Sequence, residues 1–248
     1  MKVLLGYTGL VGSNLDHGYF DILLNRSNFD AFIQREVEVQ ELWIAAGDAR
    51  KWFALTEPEI FEKDSNALTE KIIRLKPKKA ILFSTIDVYD GEQCVNETHL
   101  PKPSHPYGKI QLQREIDLKD QLEELSIVRL PGLFGSNLRK NFIFDLLNRR
   151  KDFIEGLNGF SQFQYFDLNL LHSRVLTLDG ELTNLVTEPV SILDIYNCYT
   201  MVYDEEYDFT GKSCVTYNVL TTQTSSGYFH TKDDVIQRLY AFFKQGKI

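Results

Sequence analysis

The sequence predicts an α/β protein in which a doubly wound parallel sheet is followed by a small C-terminal lobe. Two observations predict this class. Short apolar segments alternate with helix-like segments over the first 135 residues, and such alternation is typical of parallel strands covered by helices on both faces. A glycine-rich loop also follows the first apolar segment directly. Sheets of this kind bind ligands beyond the carboxyl ends of their strands, so we expect a crevice there.

Five short apolar runs predict the strands, because each one stops at a glycine or a polar turn. The predicted strands cover residues 2–5, 20–25, 41–46, 79–84 and 126–130.

Helices are predicted between these strands. Residues 57–75 have helical apolar spacing with Pro58 near the start, where proline favours helix entry. Residues 107–125 show a second strong helical pattern, and weaker ones cover residues 142–147 and 232–243. A helix is also expected to begin within residues 6–15. Asn25 lies only thirteen positions beyond Gly12, so this helix has room for little more than two turns.

Composition favours one compact globular unit. The chain has 248 residues, of which 43% are hydrophobic and 25% charged. A net charge of −8 argues against nucleic acid as a partner. Residues 151–210 alone carry eleven acidic and two basic side chains, so composition shifts near residue 150. We predict a dinucleotide-binding domain at residues 1–135 and a substrate-binding lobe at 136–248 that is interleaved with the end of the sheet.

Neither a metal site nor a membrane association is predicted. The three cysteines lie far apart without a zinc or disulfide pattern. No apolar run approaches the length of a membrane span, and the N-terminus turns glycine-rich too early for a signal peptide. A cytoplasmic location is therefore expected.

The loop at residues 6–12 has the pattern G-x-x-G-x-x-G. Such a loop between a strand and a helix allows a tight turn, close approach of a pyrophosphate and close packing of the helix. It therefore predicts a Rossmann-like dinucleotide site, with a plain tight turn as the alternative. The candidate cofactor contacts are Gly6, Thr8, Gly9, Leu10, Val11 and Gly12.

The end of the second strand bears on the choice of cofactor. Asn25, Arg26 and Ser27 stand where a carboxylate would bind the adenosine ribose of NAD. No carboxylate occurs before Asp30, and an arginine favours a 2′-phosphate. The sequence therefore leans toward NADP over NAD, with a solvated arginine at a strand end as the alternative.

Further segments occur in a family-like order. Ala45-Ala46-Gly47 follows the third strand, residues 84–89 (STIDVY) end the fourth, and residues 129–135 (RLPGLFG) end the fifth. With the glycine loop, these segments resemble the extended short-chain dehydrogenase/reductases, the NAD(P)-dependent nucleotide-sugar epimerases and dehydratases. The resemblance implies a Rossmann fold and cofactor contacts from Ala45, Ala46, Gly47 and Pro131.

The resemblance also implies a catalytic set of a Ser/Thr, a Tyr and a Lys four residues after the Tyr. The corresponding residues here are Thr85, Tyr107 and Gln111. Gln111 cannot supply the positive charge that lowers a tyrosine pKa. Lys109 is an alternative source of charge, but its helix position faces away from Tyr107.

These features imply an oxidoreductase, epimerase or dehydratase that acts on a sugar or nucleotide sugar, in surface-polysaccharide synthesis. Gln111 favours a second hypothesis, a catalytically silent NAD(P)-binding sensor or scaffold. The short first helix leaves a third, a non-redox binding module with a vestigial loop. The oligomeric state is open, with a homodimer among the expectations. A basic cluster near residue 145 suits either a diphosphate or solvent; its members are Arg139, Lys140, Arg149, Arg150 and Lys151.

Overall fold

The structure, a computed structural model, describes residues 1–246 and has the predicted α/β architecture. Its strands are Lys2–Leu5 (β1), Ile22–Leu24 (β2), Glu41–Ile44 (β3), Lys79–Thr85 (β4), Leu125–Leu130 (β5), Gly132–Phe134 (β6), Gln162–Phe163 (β7), Tyr165–Asp167 (β8), Leu182–Asn184 (β9) and Val190–Ser191 (β10). Six of them form a central sheet in the order β2-β1-β3-β4-β5-β9, and all its neighbours are parallel. The pairs β6-β8 and β7-β10 lie outside it.

The helices cover both faces of the sheet and build the C-terminal lobe. The α-helices are Phe29–Ile33 (α1), Lys51–Thr56 (α2), Pro58–Leu75 (α3), Pro106–Gln121 (α4), Phe142–Leu147 (α5), Lys151–Glu155 (α6), Leu171–Val175 (α7), Ile192–Thr200 (α8) and Lys232–Gln245 (α9). None of the helices within residues 1–246 is long and apolar enough to cross a membrane.

Alternate residues of each central strand face opposite sides of the sheet, as the strand repeat requires. In β3, Leu42 and Ile44 join a core beneath α1, α3 and α4, whereas Trp43 joins the core on the other face. Because both faces are covered, β3 reads as a continuous apolar run.

The prediction of an α-helix after the glycine loop is wrong. The segment between β1 and β2, which lies wholly inside the described residues, contains two 3-10 turns, Gly12–Asn14 and His17–Tyr19. The second turn begins where the Asp16 carboxylate accepts a 2.9 Å hydrogen bond from the Gly18 N–H. Too few residues separate the loop from β2 for the chain to build a helix and still return. Aromatic rings cover this face instead, with His172 stacked on Trp43 at 5.1 Å between ring centroids.

Other boundaries also differ from the sequence prediction. The helix predicted over residues 107–125 ends at Gln121, because Leu125 already pairs with Ala80 in the sheet. The short helices α1 and α2 were not predicted. From the acidic part of the chain, β9 completes the sheet beside β5.

The chain leaves β1 on one side for β2 and returns on the other side for β3. Strand order therefore reverses at β1, and in sheets of this type the ligand crevice lies beyond the carboxyl ends of the strands at such a reversal, here β1 and β3. Gly6 and Ala45 meet at this point, since a Cβ on Gly6 would lie 2.5 Å from the Ala45 carbonyl oxygen.

Candidate active site

The catalytic candidates Thr85 and Tyr107 meet at the carboxyl end of β4. Thr85 is the last residue of β4, and Tyr107 is the second residue of α4. Gly108 allows this approach, because a Cβ there would lie 2.8 Å from the Asp87 carbonyl oxygen. The first turn of α4 can therefore pack directly on the 3-10 turn Ile86–Tyr89 that follows β4.

His105 fixes the start of α4. Its Nδ1 accepts a 3.0 Å hydrogen bond from the Gly108 N–H, and Pro106 occupies the first helical position. A side-chain acceptor at the cap and a proline behind it both favour helix initiation at this residue. His105 therefore holds the start of the helix that carries Tyr107.

Asp87 and Lys51 join the site and were missed by the sequence reasoning. The Thr85 hydroxyl donates a 3.0 Å hydrogen bond to one Asp87 oxygen, and the Lys51 ammonium lies 2.6 Å from the other. Asp87 is 6% exposed. Asp87 stands inside the STIDVY segment, so its position two residues after Thr85 was a usable signal. Lys51 offered none, because it comes from the separate helix α2.

Tyr107 is buried, and its surroundings keep it protonated. Burial raises the pKa of Tyr107 far above its usual range, and the negative charge of Asp87 raises it further. Arg114 and the Thr85 hydroxyl oppose this effect. At neutral pH the side chain is therefore a phenol, which is a proton donor.

Gln111 lies one helical turn beyond Tyr107 and is buried. Its Nε2 donates a 3.4 Å hydrogen bond to the Asp48 carbonyl oxygen. The position therefore joins α4 to the segment after β3 without bringing a charge. Lys109 is exposed, as its helix position predicts.

The loop at residues 6–12 closes on itself at two glycines and stays open at the third. Gly6 has a φ of 96°, and a Cβ on Gly12 would collide with the Gly6 carbonyl oxygen. A Cβ on Gly9 would lie 3.4 Å from the nearest oxygen, which is an ordinary contact. Thr8 and Gly9 are exposed at the crest of the turn, whereas Leu10 and Val11 pack partly against the core.

The residues after β2 form a turn of their own. Asn25 Oδ1 accepts hydrogen bonds from the Ser27 N–H at 2.9 Å and from the Ser27 hydroxyl at 2.6 Å. Asn25 Nδ2 donates to the Tyr7 hydroxyl at 3.2 Å. Both polar atoms of the Asn25 side chain are thus engaged within the protein. Arg26 is exposed beside them.

The remaining predicted cofactor contacts border the same region. Ala45 and Ala46 are half-buried after β3, and Gly47 is exposed with a φ of 133°. Pro131 is half-buried between β5 and β6.

The predicted basic cluster divides into two parts. Arg149, Arg150 and Lys151 form ion pairs with Glu205, Asp145 and Glu155, respectively. These three therefore belong to the C-terminal lobe and its carboxylates. Lys140 turns the other way, because its ammonium donates to the Ala49 carbonyl oxygen. Although the residue as a whole is exposed, partial burial of the ammonium and the nearby Lys51 charge lower the Lys140 pKa.

Arg114 is the second cation that the sequence reasoning missed. It lies on α4 and is 4% exposed, and its Nε and Nη2 atoms have no hydrogen-bond partner among residues 1–246. Its spacing of seven residues from Tyr107, two helical turns, was the signal available in the sequence.

Solved structures with the same fold cover nearly the whole chain. UDP-glucose 4-epimerase from Thermotoga maritima, with UDP-glucose, is 16% identical with a TM-score of 0.78, and 98% of each chain is covered. TunA, an NAD-dependent NDP-hexosamine 5,6-dehydratase of tunicamycin biosynthesis, is 12% identical with a TM-score of 0.78, and 98% of this chain and 97% of that chain are covered. Bordetella bronchiseptica WbmG, in complex with NAD and UDP, is 14% identical with a TM-score of 0.74, and 98% of this chain and 93% of that chain are covered.

No protein-family model and no curated protein sequence matches the chain. The structural neighbours confirm the fold expected from the resemblance to extended short-chain dehydrogenase/reductases.

Proposed function

We propose that this chain binds NAD or NADP and acts as an oxidoreductase, epimerase or dehydratase on a nucleotide sugar or sugar. One observation carries the proposal. The glycine loop follows β1 and Thr85 ends β4, so both lie at the carboxyl edge of one parallel sheet with β3 between them, and Tyr107 lies beside Thr85. The structural neighbours named above are such enzymes or hold NAD and UDP.

The residues at the crevice fit a dinucleotide. A Cβ on Gly9 would make only ordinary contacts, with the Gly6 carbonyl oxygen at 3.4 Å and the Ala45 carbonyl oxygen at 3.7 Å, and its absence leaves room for a pyrophosphate to approach the exposed backbone. We assign the pyrophosphate to the loop from Gly6 to Gly12. The segment from Ala45 to Gly47 and Pro131 would border the cofactor, and Gln111 can offer its amide to a ribose hydroxyl.

A bound nicotinamide would supply the hydride chemistry. Tyr107, held as a phenol, donates a proton to a substrate carbonyl oxygen, and the alcohol O–H formed in this way can donate a hydrogen bond to the Thr85 oxygen. Since Thr85 already donates to Asp87, it accepts a second hydrogen bond more readily than it gives one. The protein at neutral pH is therefore better prepared to protonate a carbonyl than to deprotonate an alcohol.

A catalytically silent NAD(P)-binding protein is the second candidate. It is favoured by the uncharged Gln111 beside a tyrosine whose pKa is raised rather than lowered. Turnover with a panel of nucleotide sugars separates the two candidates, because a silent protein binds the cofactor without oxidising or reducing it.

A homodimer belongs to the same proposal. Apolar side chains stay exposed on neighbouring helices, with Trp52 on α2, Ile60 on α3 and Ile116 on α4. Light scattering on the purified chain decides between one copy and two. We also retain surface-polysaccharide synthesis as the proposed setting.

The first prediction concerns the glycine loop. A dinucleotide at 100 times its Kd is expected to stabilise the fold by about 2.7 kcal/mol, which is seen as a rise in Tm. Gly9→Ala should keep the fold and weaken this binding at least about tenfold, because the new Cβ occupies the approach of the pyrophosphate. The measurement is a thermal melt with NAD, NADH, NADP and NADPH.

Gly156→Ala is the matched control. Its Cβ would meet its nearest atom at 3.3 Å, about as close as at Gly9, but it lies at the end of α6 in the C-terminal lobe. The control should bind like the wild type. A Tm that none of the four dinucleotides moves contradicts the proposed site.

The second prediction concerns cofactor choice. NADP is expected to bind at least as tightly as NAD, because Arg26 is exposed beside a strand end that lacks a carboxylate. Arg26→Ala should weaken NADP and leave NAD unchanged, as measured by isothermal titration. Much tighter NAD binding that is insensitive to Arg26→Ala speaks against this preference.

A further inference from the structure

Arg114 has a charge that the mechanism above does not use. The side chain is 4% exposed, and its Nε and Nη2 have no hydrogen-bond partner within residues 1–246. Burial lowers the pKa of Arg114 to about 10, so it remains protonated at neutral pH. A buried guanidinium without a carboxylate is costly to stability. Such a group is unusual in a core unless its charge serves something nearby.

The helix brings Arg114 to Tyr107. The two residues are seven positions apart on α4, and two turns of helix place them on nearly the same face. Helical side chains lean toward the N-terminus, so the long Arg114 side chain extends in the direction of Tyr107. Across from the helix it reaches Gly47, where a Cβ would collide with Nη1. Gln111 stands between the two on the same face.

Other cations near Tyr107 are already engaged or point elsewhere. Lys51 lies with its Nζ 6.0 Å from the centre of the Tyr107 ring, but its charge is paired with Asp87 at 2.6 Å. Lys140 donates to the Ala49 carbonyl, and Lys109 is exposed. Among the described residues, Arg114 forms no ion pair with a carboxylate. The ionisable side chain that favours the protonated form of Arg114 is Tyr107.

We propose that Arg114 is a positioning residue that gives Tyr107 the positive charge which Gln111 lacks. The inference rests on the proposed function, because it concerns the proton carried by Tyr107. When that proton leaves for a substrate oxygen, the phenolate forms beside the guanidinium, which stays protonated. The positive charge thus lies two helical turns from Tyr107, at Arg114, rather than one turn away at position 111. It approaches from the side of α4 that faces the segment after β3.

The test replaces Tyr107 by 2,3,5,6-tetrafluorotyrosine, whose phenol is far more acidic than that of tyrosine, so that the raised pKa of this site returns to the range in which the folded protein can be titrated. Fluorine NMR then follows this one residue among the twelve tyrosines. Arg114→Met should raise its apparent pKa by about one to three units, since an adjacent cation favours the phenolate by that amount. Lys109→Met, which removes an exposed lysine of the same helix, should leave it unchanged.

Two further variants separate a charge effect from a structural one. Gln111→Lys in the Arg114→Met background moves the cation one turn along the helix and should lower the pKa again. Arg114→Lys keeps a cation and should stay below Arg114→Met. It also serves if Arg114→Met does not fold. The proposal is overturned if the fluorotyrosine pKa in Arg114→Met equals that in the Lys109→Met control. It is also overturned if the pKa in Arg114→Met is raised but neither Arg114→Lys nor the added Gln111→Lys lowers it.

This result does not depend on cofactor binding. The titration is read without ligand, whereas the proposed function is tested by the dinucleotide melts. A protein that binds no dinucleotide but shows the pKa shift refutes the proposed function and keeps the Arg114–Tyr107 coupling. Normal dinucleotide binding without the shift refutes the coupling alone.

Discussion

Replacement of Glu115 by leucine is expected to destabilise the protein by about 3–5 kcal/mol, because it leaves a buried arginine without its partner. Arg129 and Glu115 are 4% and 3% exposed, and Arg129 Nη2 lies 2.6 Å from the Glu115 carboxylate. Arg129 Nε donates to the same carboxylate at 3.1 Å. Burial alone would lower the Arg129 pKa, but the hydrogen bond and charge of Glu115 outweigh it and raise the pKa.

The pair is the centre of a larger network beneath the candidate site. Arg129 Nη1 donates to the Tyr89 hydroxyl at 2.6 Å, and Asn184 Nδ2 donates to the same oxygen at 3.1 Å. Ser84 donates to Glu115 from the end of β4. Helix α4 is therefore joined to β4, β5 and β9 by buried hydrogen bonds. Loss of the carboxylate should loosen the helix that holds Tyr107.

Urea unfolding measures this effect as a fall in the free energy of unfolding. The control is Glu181→Leu, which breaks an exposed pair with Lys119 at 3.2 Å and should change stability by less than about 1 kcal/mol. Adding Arg129→Met to Glu115→Leu should recover most of the loss, since an apolar pair leaves no uncompensated charge. A loss below about 1 kcal/mol in Glu115→Leu shows that the ion pair does not organise this core.

The sequence predicts the central sheet well because burial on both faces makes its strands continuous apolar runs. Leu42, Trp43 and Ile44 of β3 are fully buried on alternating sides. The first helix was mispredicted because a glycine loop favours a helix locally, whereas the length of chain before β2 excludes it. Helix α2 was missed because its N-cap residue is Arg50, whose side chain makes no capping hydrogen bond, so the sequence carries no helix-start signal there.

The candidate site was predictable only where its residues keep a fixed spacing. Thr85 and Tyr107 follow from the ends of one strand and one helix. Lys51 and Asp87 meet through the packing of α2 on the turn after β4, which no local pattern encodes. The guanidinium of Arg114 reads in sequence as one more polar residue of an amphipathic helix. Its burial becomes apparent only when the segment that follows β3, with Gly47, is placed against α4.

The largest effect on turnover is expected at Tyr107. Tyr107→Phe removes the phenolic proton while it keeps the ring that packs against Phe61 at 5.9 Å between centroids. A positioned acid-base group contributes about 10²- to 10⁴-fold, so hydride transfer should fall by that factor with little change in cofactor binding. Absorbance of the reduced nicotinamide with a panel of nucleotide sugars measures the rate.

The direction of the reaction decides how this rate responds to pH and to charge. Because the pKa of Tyr107 is raised, the phenolate needed for alcohol oxidation becomes more abundant as pH increases. Oxidation should therefore accelerate with increasing pH through the neutral range, whereas carbonyl reduction should not.

Gln111→Lys adds a cation one turn from Tyr107, so it should raise the rate of oxidation at neutral pH and shift the pH profile of oxidation toward lower pH. Tyr107→Phe in that background should abolish the gain. If Gln111→Lys has no effect and Lys109→Ala abolishes activity, the essential lysine is Lys109. If no variant turns over although all bind the cofactor tightly, the silent binding protein is favoured.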